Sequence, residues 1–97
     1  MKYIVHIEIE PTVGNELEDN PQRIQELIAK WQAHDPIGLY FSLARRTVIV
    51  ILEANNEDAF FEALHWTWRT TKAYPDVHPV GDVDEFPEML KRAGIGG

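Results

Sequence analysis

Ile37-Gly38-Leu39-Tyr40-Phe41-Ser42-Leu43-Ala44-Arg45-Arg46-Thr47-Val48-Ile49-Val50-Ile51-Leu52-Glu53 is the stretch on which the fold turns. Both halves, Ile37 to Ala44 and Thr47 to Glu53, are rich in β-branched and aromatic residues, which read as two strands meeting at Arg45-Arg46. A two-residue turn there opposes Leu43 to Val48, Phe41 to Val50 and Leu39 to Leu52. One face of the hairpin is then wholly apolar, while the other holds Tyr40, Ser42, Ile49, Ile51 and Glu53. Arginine is not a favoured residue of the type I′ turn, so a longer loop is the alternative, and a slip of one residue would invert the faces.

Working outward, Lys2 to Glu10 alternates with period 2, placing Tyr3, Val5, Ile7 and Ile9 on one face and Lys2, Ile4, His6, Glu8 and Glu10 on the other. Asp76 to Val83 reads as a weaker strand whose Pro79 suits a sheet edge. Between the strands, Asn20-Pro21 opens a helix to about Ala33 with Ile24, Leu27, Ile28 and Trp31 at i, i+3, i+4 and i+7. A second helix starts at Asn55 or Asn56 and runs to about Lys72, with Phe60, Phe61, Leu64, Thr67, Trp68 and Thr71 on one broad face. Pro11 to Asn20 mixes Pro, Gly and acids without periodicity and reads as a loop. Pro87 to Ala93 reads as a short terminal helix closed by Gly94.

Two successive β-α-β units whose middle strands form a hairpin give an α+β fold, the ferredoxin-like βαββαβ plait. It has a four-stranded antiparallel sheet with two helices on one face. Residues 1–97 are expected to be a single domain of this kind, 86–97 forming a C-terminal extension. The uncovered sheet face would carry Ile4, Tyr40, Ile49, Ile51 and Val80, more contiguous apolar surface than soluble monomers usually show. The expected cover is a second copy, giving a homodimer or a larger homo-oligomer.

Composition narrows the function classes. The 97 residues hold no cysteine, which removes disulfides, thiolate metal sites and thiol nucleophiles. A net charge of −7 without a basic stripe argues against nucleic acid as a partner. No apolar run approaches the ~20 residues of a membrane span, and Met1 to His6 lacks a secretory h-region, so no membrane association and a cytoplasmic location are expected. Phosphate-loop, dinucleotide and serine-hydrolase motifs are missing.

The opening Met1 to Ile7, the hairpin Leu39 to Glu53, the helix start Asn55-Asn56-Glu57-Asp58 and the strand Val77-His78-Pro79-Val80 resemble the dimeric α/β-barrel superfamily. Within it, the chain is similar to muconolactone-isomerase-like proteins or to small uncharacterised proteins of the same layout, over about residues 1–83. That resemblance implies a dimeric α/β barrel. It also admits isomerases, monooxygenases that act without a metal, haem-degrading enzymes and members with no known activity.

His6 and Glu8 project from the face opposite the helices, and a histidine beside a carboxylate suits moving a proton on a carbon next to a carbonyl, the reaction the isomerase resemblance implies. They are the candidate catalytic pair. Tyr40, Ser42 and His78 are the candidate ligand-binding residues, His78 being expected across from His6 with Val80 as its apolar neighbour. His6, Glu8 and His78 would also supply a three-ligand metal set. Without a local motif such as HExxH, no metal and no cofactor are expected. The reading that follows is a protein binding a small organic ligand, isomerase-like if it is an enzyme. The alternative is a non-catalytic assembly or regulatory module whose open face is sealed by its partner.

Overall fold

In the computed structural model, which describes residues 1–96, the element order is β1 (Lys2–Glu8), α1 (Pro11–Asp19), α2 (Pro21–Gln32), β2 (Gly38–Phe41), β3 (Thr47–Glu53), α3 (Glu57–Thr71) and β4 (Asp76–Val80). A single 3₁₀ turn (Val83–Glu85) and α4 (Phe86–Arg92) follow. Gly97, last residue of the expected extension, lies outside the described residues. The chain is a mixed α+β fold with one four-stranded antiparallel sheet in the order β2-β3-β1-β4.

The helix face of the sheet follows the period-2 pattern. Val5, Ile7, Val48, Val50 and Leu52 are buried there under Leu27 and Trp31 of α2 and Ala63 of α3, with Tyr3, Leu39, Phe60 and Leu64 packed around them. Trp31 fills the space between the two long helices, and its indole N–H donates to Thr67 Oγ1 at 2.9 Å. Because that ring takes the volume, α3 presents small residues to α2. Ala63, Thr67, Thr70 and Thr71 are buried, whereas Phe61 and Trp68, expected on the core face, sit on the next stripe of the helix in an outer aromatic cluster with His65 and Tyr74. Asn56 caps α3 by accepting the Ala59 N–H at 3.0 Å, and Lys72 closes it in the left-handed conformation at φ 60°.

Two expectations need correction. The loop expected over Pro11 to Asn20 is instead a helix for nine residues, with Pro11 in the first turn and Val13, Gly14 and Leu17 buried. Its hold on the body comes from a distant residue: the Arg46 guanidinium donates to Pro11 O (2.9 Å), Asn15 Oδ1 (2.9 Å) and Glu18 Oε1 (2.8 and 3.2 Å). The second correction concerns the hairpin, where Phe41 pairs with Val48 and Leu39 with Val50, and a five-residue loop over 42–46 replaces the two-residue turn. Every pairing has moved by two residues, an even slip, so the apolar and open faces keep their identities. The longer loop leaves Phe41 largely in water and Leu43 99 % exposed.

Candidate functional site

Partners across an antiparallel ladder share a sheet face. Opposite the helices, one row therefore runs Tyr40, Ile49, His6, Asp76, and the next runs Gly38, Ile51, Ile4, His78. Three of the five candidate residues, His6, Tyr40 and His78, thus lie on one surface. Ile4, Ile49 and Ile51 between them are only half-buried. No helix of the described residues covers this face.

The residue across from His6 is Asp76, with His78 one row away opposite Ile4. The expected facing of two histidines is therefore replaced by a histidine and a carboxylate, because Val77, not His78, turns inward to the core. His6 Nδ1 lies 4.0 Å from Asp76 Oδ2, inside ion-pair range and longer than a hydrogen bond, and the imidazole is 39 % exposed. Such a pair can orient the ring and stabilise its protonated form while the second ring nitrogen stays free for a ligand.

Glu8 lies two residues along the same strand, about 7 Å from His6. Its carboxylate is taken by Arg45 at 3.1 Å, across the hairpin loop. Ser42 is occupied too: its Oγ accepts the backbone N–H groups of Ala44 and Arg45, both at 3.3 Å, and so shapes the loop. Both residues line a cleft of about 600 Å³ at the hairpin tip, with Phe41, Leu43, Arg45 and Arg46. A second cleft, about 330 Å³ and mostly apolar, lies under the hairpin between Leu17, Ile24, Ile28, Phe41 and Val48. A third, about 530 Å³, is a trough between α2 and α3 floored by Ala29, Ala33, Ala59 and Ala63 and walled by Trp66, whose ring lies 4.9 Å from Lys30 Nζ. None of the three is lined by His6, Tyr40 or His78.

The set His6, Glu8 and His78 is not gathered for a metal, since no group of three or more such side chains among the described residues is close enough to hold one. Sequence reasoning missed Asp76 and Arg45. Asp76 was findable: with Val77 inward, strand alternation puts Asp76 on the face of His6. Arg45 was not, because its reach to Glu8 depends on the five-residue loop.

With this geometry in view, the chain belongs to the family described as a domain of unknown function, DUF3303, matched over residues 1–94. The match runs from β1 through α4. No curated protein matches the chain.

Proposed function

We propose that the chain is a homodimeric, small-molecule-binding protein whose ligand site is the open sheet face, with His6 moving a proton on a carbon beside a carbonyl. The observation that carries this reading is the His6–Asp76 pair, set at 4.0 Å in the middle of a sheet face whose isoleucines are left partly open. Asp76 orients the imidazole. Tyr40 in the same row and His78 in the next offer a hydroxyl and a ring nitrogen to the ligand's oxygen, and Ile4, Ile49 and Ile51 supply an apolar wall. Glu8 and Arg45 stand as a charge pair at the rim.

The chemistry balances without a co-reactant. His6 takes the proton from the carbon, the electrons of that C–H bond pass into an enolate, and the same proton returns at a second carbon. Supporting the architecture are the strand order β2-β3-β1-β4 and the two long helices on one face, which suit a ferredoxin-like plait. Two such sheets packed through their open faces would make the dimeric α/β barrel of muconolactone-isomerase-like proteins, with α1 as an added element.

The test is exchange of α-protons into D₂O for a panel of small lactones and 2-oxo acids, followed by NMR with the wild type and His6→Ala. Catalysed exchange that falls by ~10² to 10⁴ in a dimeric His6→Ala variant supports the site. Exchange unchanged by the substitution sinks it. The second reading is an assembly module with a sealed face, and it is favoured by the main clefts lying away from His6. Wild-type protein that dimerises yet catalyses no exchange and binds none of the panel would leave that reading in place.

A further inference from the structure

Beyond Val80 the chain leaves the body. A compact chain of this length has a radius of gyration of about 12.5 Å, whereas this one measures 15.8 Å and extends 56 × 28 × 19 Å. The C-terminal arm, the 3₁₀ turn plus α4, accounts for part of the excess: neither element buries a single residue. Its root is nevertheless fixed. Lys2 Nζ donates to Asp82 Oδ1 at 3.0 Å, a bond that holds the Asp82 carboxyl below the ordinary carboxylate range and raises the Lys2 ammonium above its own. Met89 folds back over Gly81, where an added Cβ would meet its sulfur at 3.0 Å. Gly94, at φ 71°, closes the helix.

The arm keeps an apolar stripe turned outward. Val83 is 87 % exposed, Phe86 is exposed and Leu90 half-exposed, at a spacing that places Phe86 and Leu90 on one helix face. Its charge is split end to end. Asp84 and Glu85 stand at the start, Lys91 and Arg92 at the finish. Such a helix is complementary to itself only in the antiparallel sense, the arrangement a two-fold axis produces. With the axis at Glu88, residues whose numbers sum to 176 face each other: Phe86 meets Leu90, Asp84 meets Arg92, and Glu85 meets Lys91. The arm also lies within the family domain, which is matched through residue 94.

We propose that α4 is a dimer contact, pairing antiparallel with α4 of a second copy through Phe86 and Leu90 between two crossed sets of ion pairs. This rests on the homodimer proposed above, since two short helices bury too little surface to hold two chains together unaided. The arms add to the sheet-face interface and set its register.

The test uses the full chain in two charge variants, Asp84→Lys/Glu85→Lys and Lys91→Glu/Arg92→Glu, by sedimentation at low ionic strength. Each alone sets like charges against like in its own homodimer and should weaken it roughly 10-fold. Mixed in equal amounts they should form a heterodimer of wild-type strength, because both sets of ion pairs are restored. Helix fraying cannot produce that rescue, as each helix is the same alone and mixed. Single variants with wild-type dissociation constants, or a mixture that stays weak, overturn the arm contact. If arm variants are unchanged while Ile51→Asp dissociates the wild-type dimer, the arm contact falls and the sheet interface stands. A monomeric wild type sinks both.

Discussion

Thr67 and Trp31 show how much of the core depends on one hydroxyl. The Thr67 Oγ accepts the indole N–H at 2.9 Å and donates to Ala63 O at 2.7 Å, and both side chains are buried. Thr67→Val keeps the shape and removes the acceptor, leaving the Trp31 N–H buried without a partner. The expected loss is about 1–3 kcal/mol in urea unfolding, with Thr67→Val/Trp31→Phe recovering part of it. A loss below about 0.5 kcal/mol would mean water reaches the indole. Trp31 was legible as a packing residue from its helical spacing with Leu27, and Leu27 is indeed only 4 % exposed. The bond to Thr67 was not legible, because it joins residues 36 positions apart. For the same reason the Asp76 partner of His6 escaped notice: periodicity says which face a residue takes, and only the register of a second strand says what stands opposite.

At the scale of elements, sequence periodicity located the four strands and the two long helices, but turn chemistry and long-range anchors were beyond it. The hairpin faces were readable because an even slip preserves them; the loop over 42–46 was not, since nothing in Arg45-Arg46 states a loop length. α1 offered just Val13 and Leu17 as apolar spacing across a segment holding Pro and Gly, and helices this short are marginal in isolation. Arg46, far along the chain, is what holds it. Arg46→Ala removes all three partners on α1, two of which are side chains at the surface, and should cost about 1–2 kcal/mol. Hydrogen exchange is the measurement. The α1 amides should exchange roughly 10-fold faster or more while those of α3 stay as they were. Equal protection of α1 in the variant would show that Val13 and Leu17 suffice to dock it.

For the whole molecule, the decisive feature is a sheet with helices on one side only. Ile51 stands near the middle of its open face, between Gly38 and Ile4 in the row that ends at His78, and is half-buried in the single chain. Its neighbour Leu52 points the other way and is fully buried. The two positions therefore separate folding from assembly. Ile51→Asp places a carboxylate where the chain alone can hydrate it, so the monomer should lose no more than about 1 kcal/mol and keep its circular dichroism. In a face-to-face dimer that carboxylate is desolvated without a cation opposite, and an isoleucine's burial, about 1.5–3 kcal/mol, is lost from each copy. Two copies double both penalties, so the dissociation constant should rise by ~10³ or more. Light scattering at micromolar concentration should then change from twice the chain mass of 11.2 kDa to a single chain. Leu52→Asp, by contrast, should unfold the domain. An Ile51→Asp protein that remains a dimer would place the interface elsewhere and leave the row of Tyr40, His6 and Asp76 open to water.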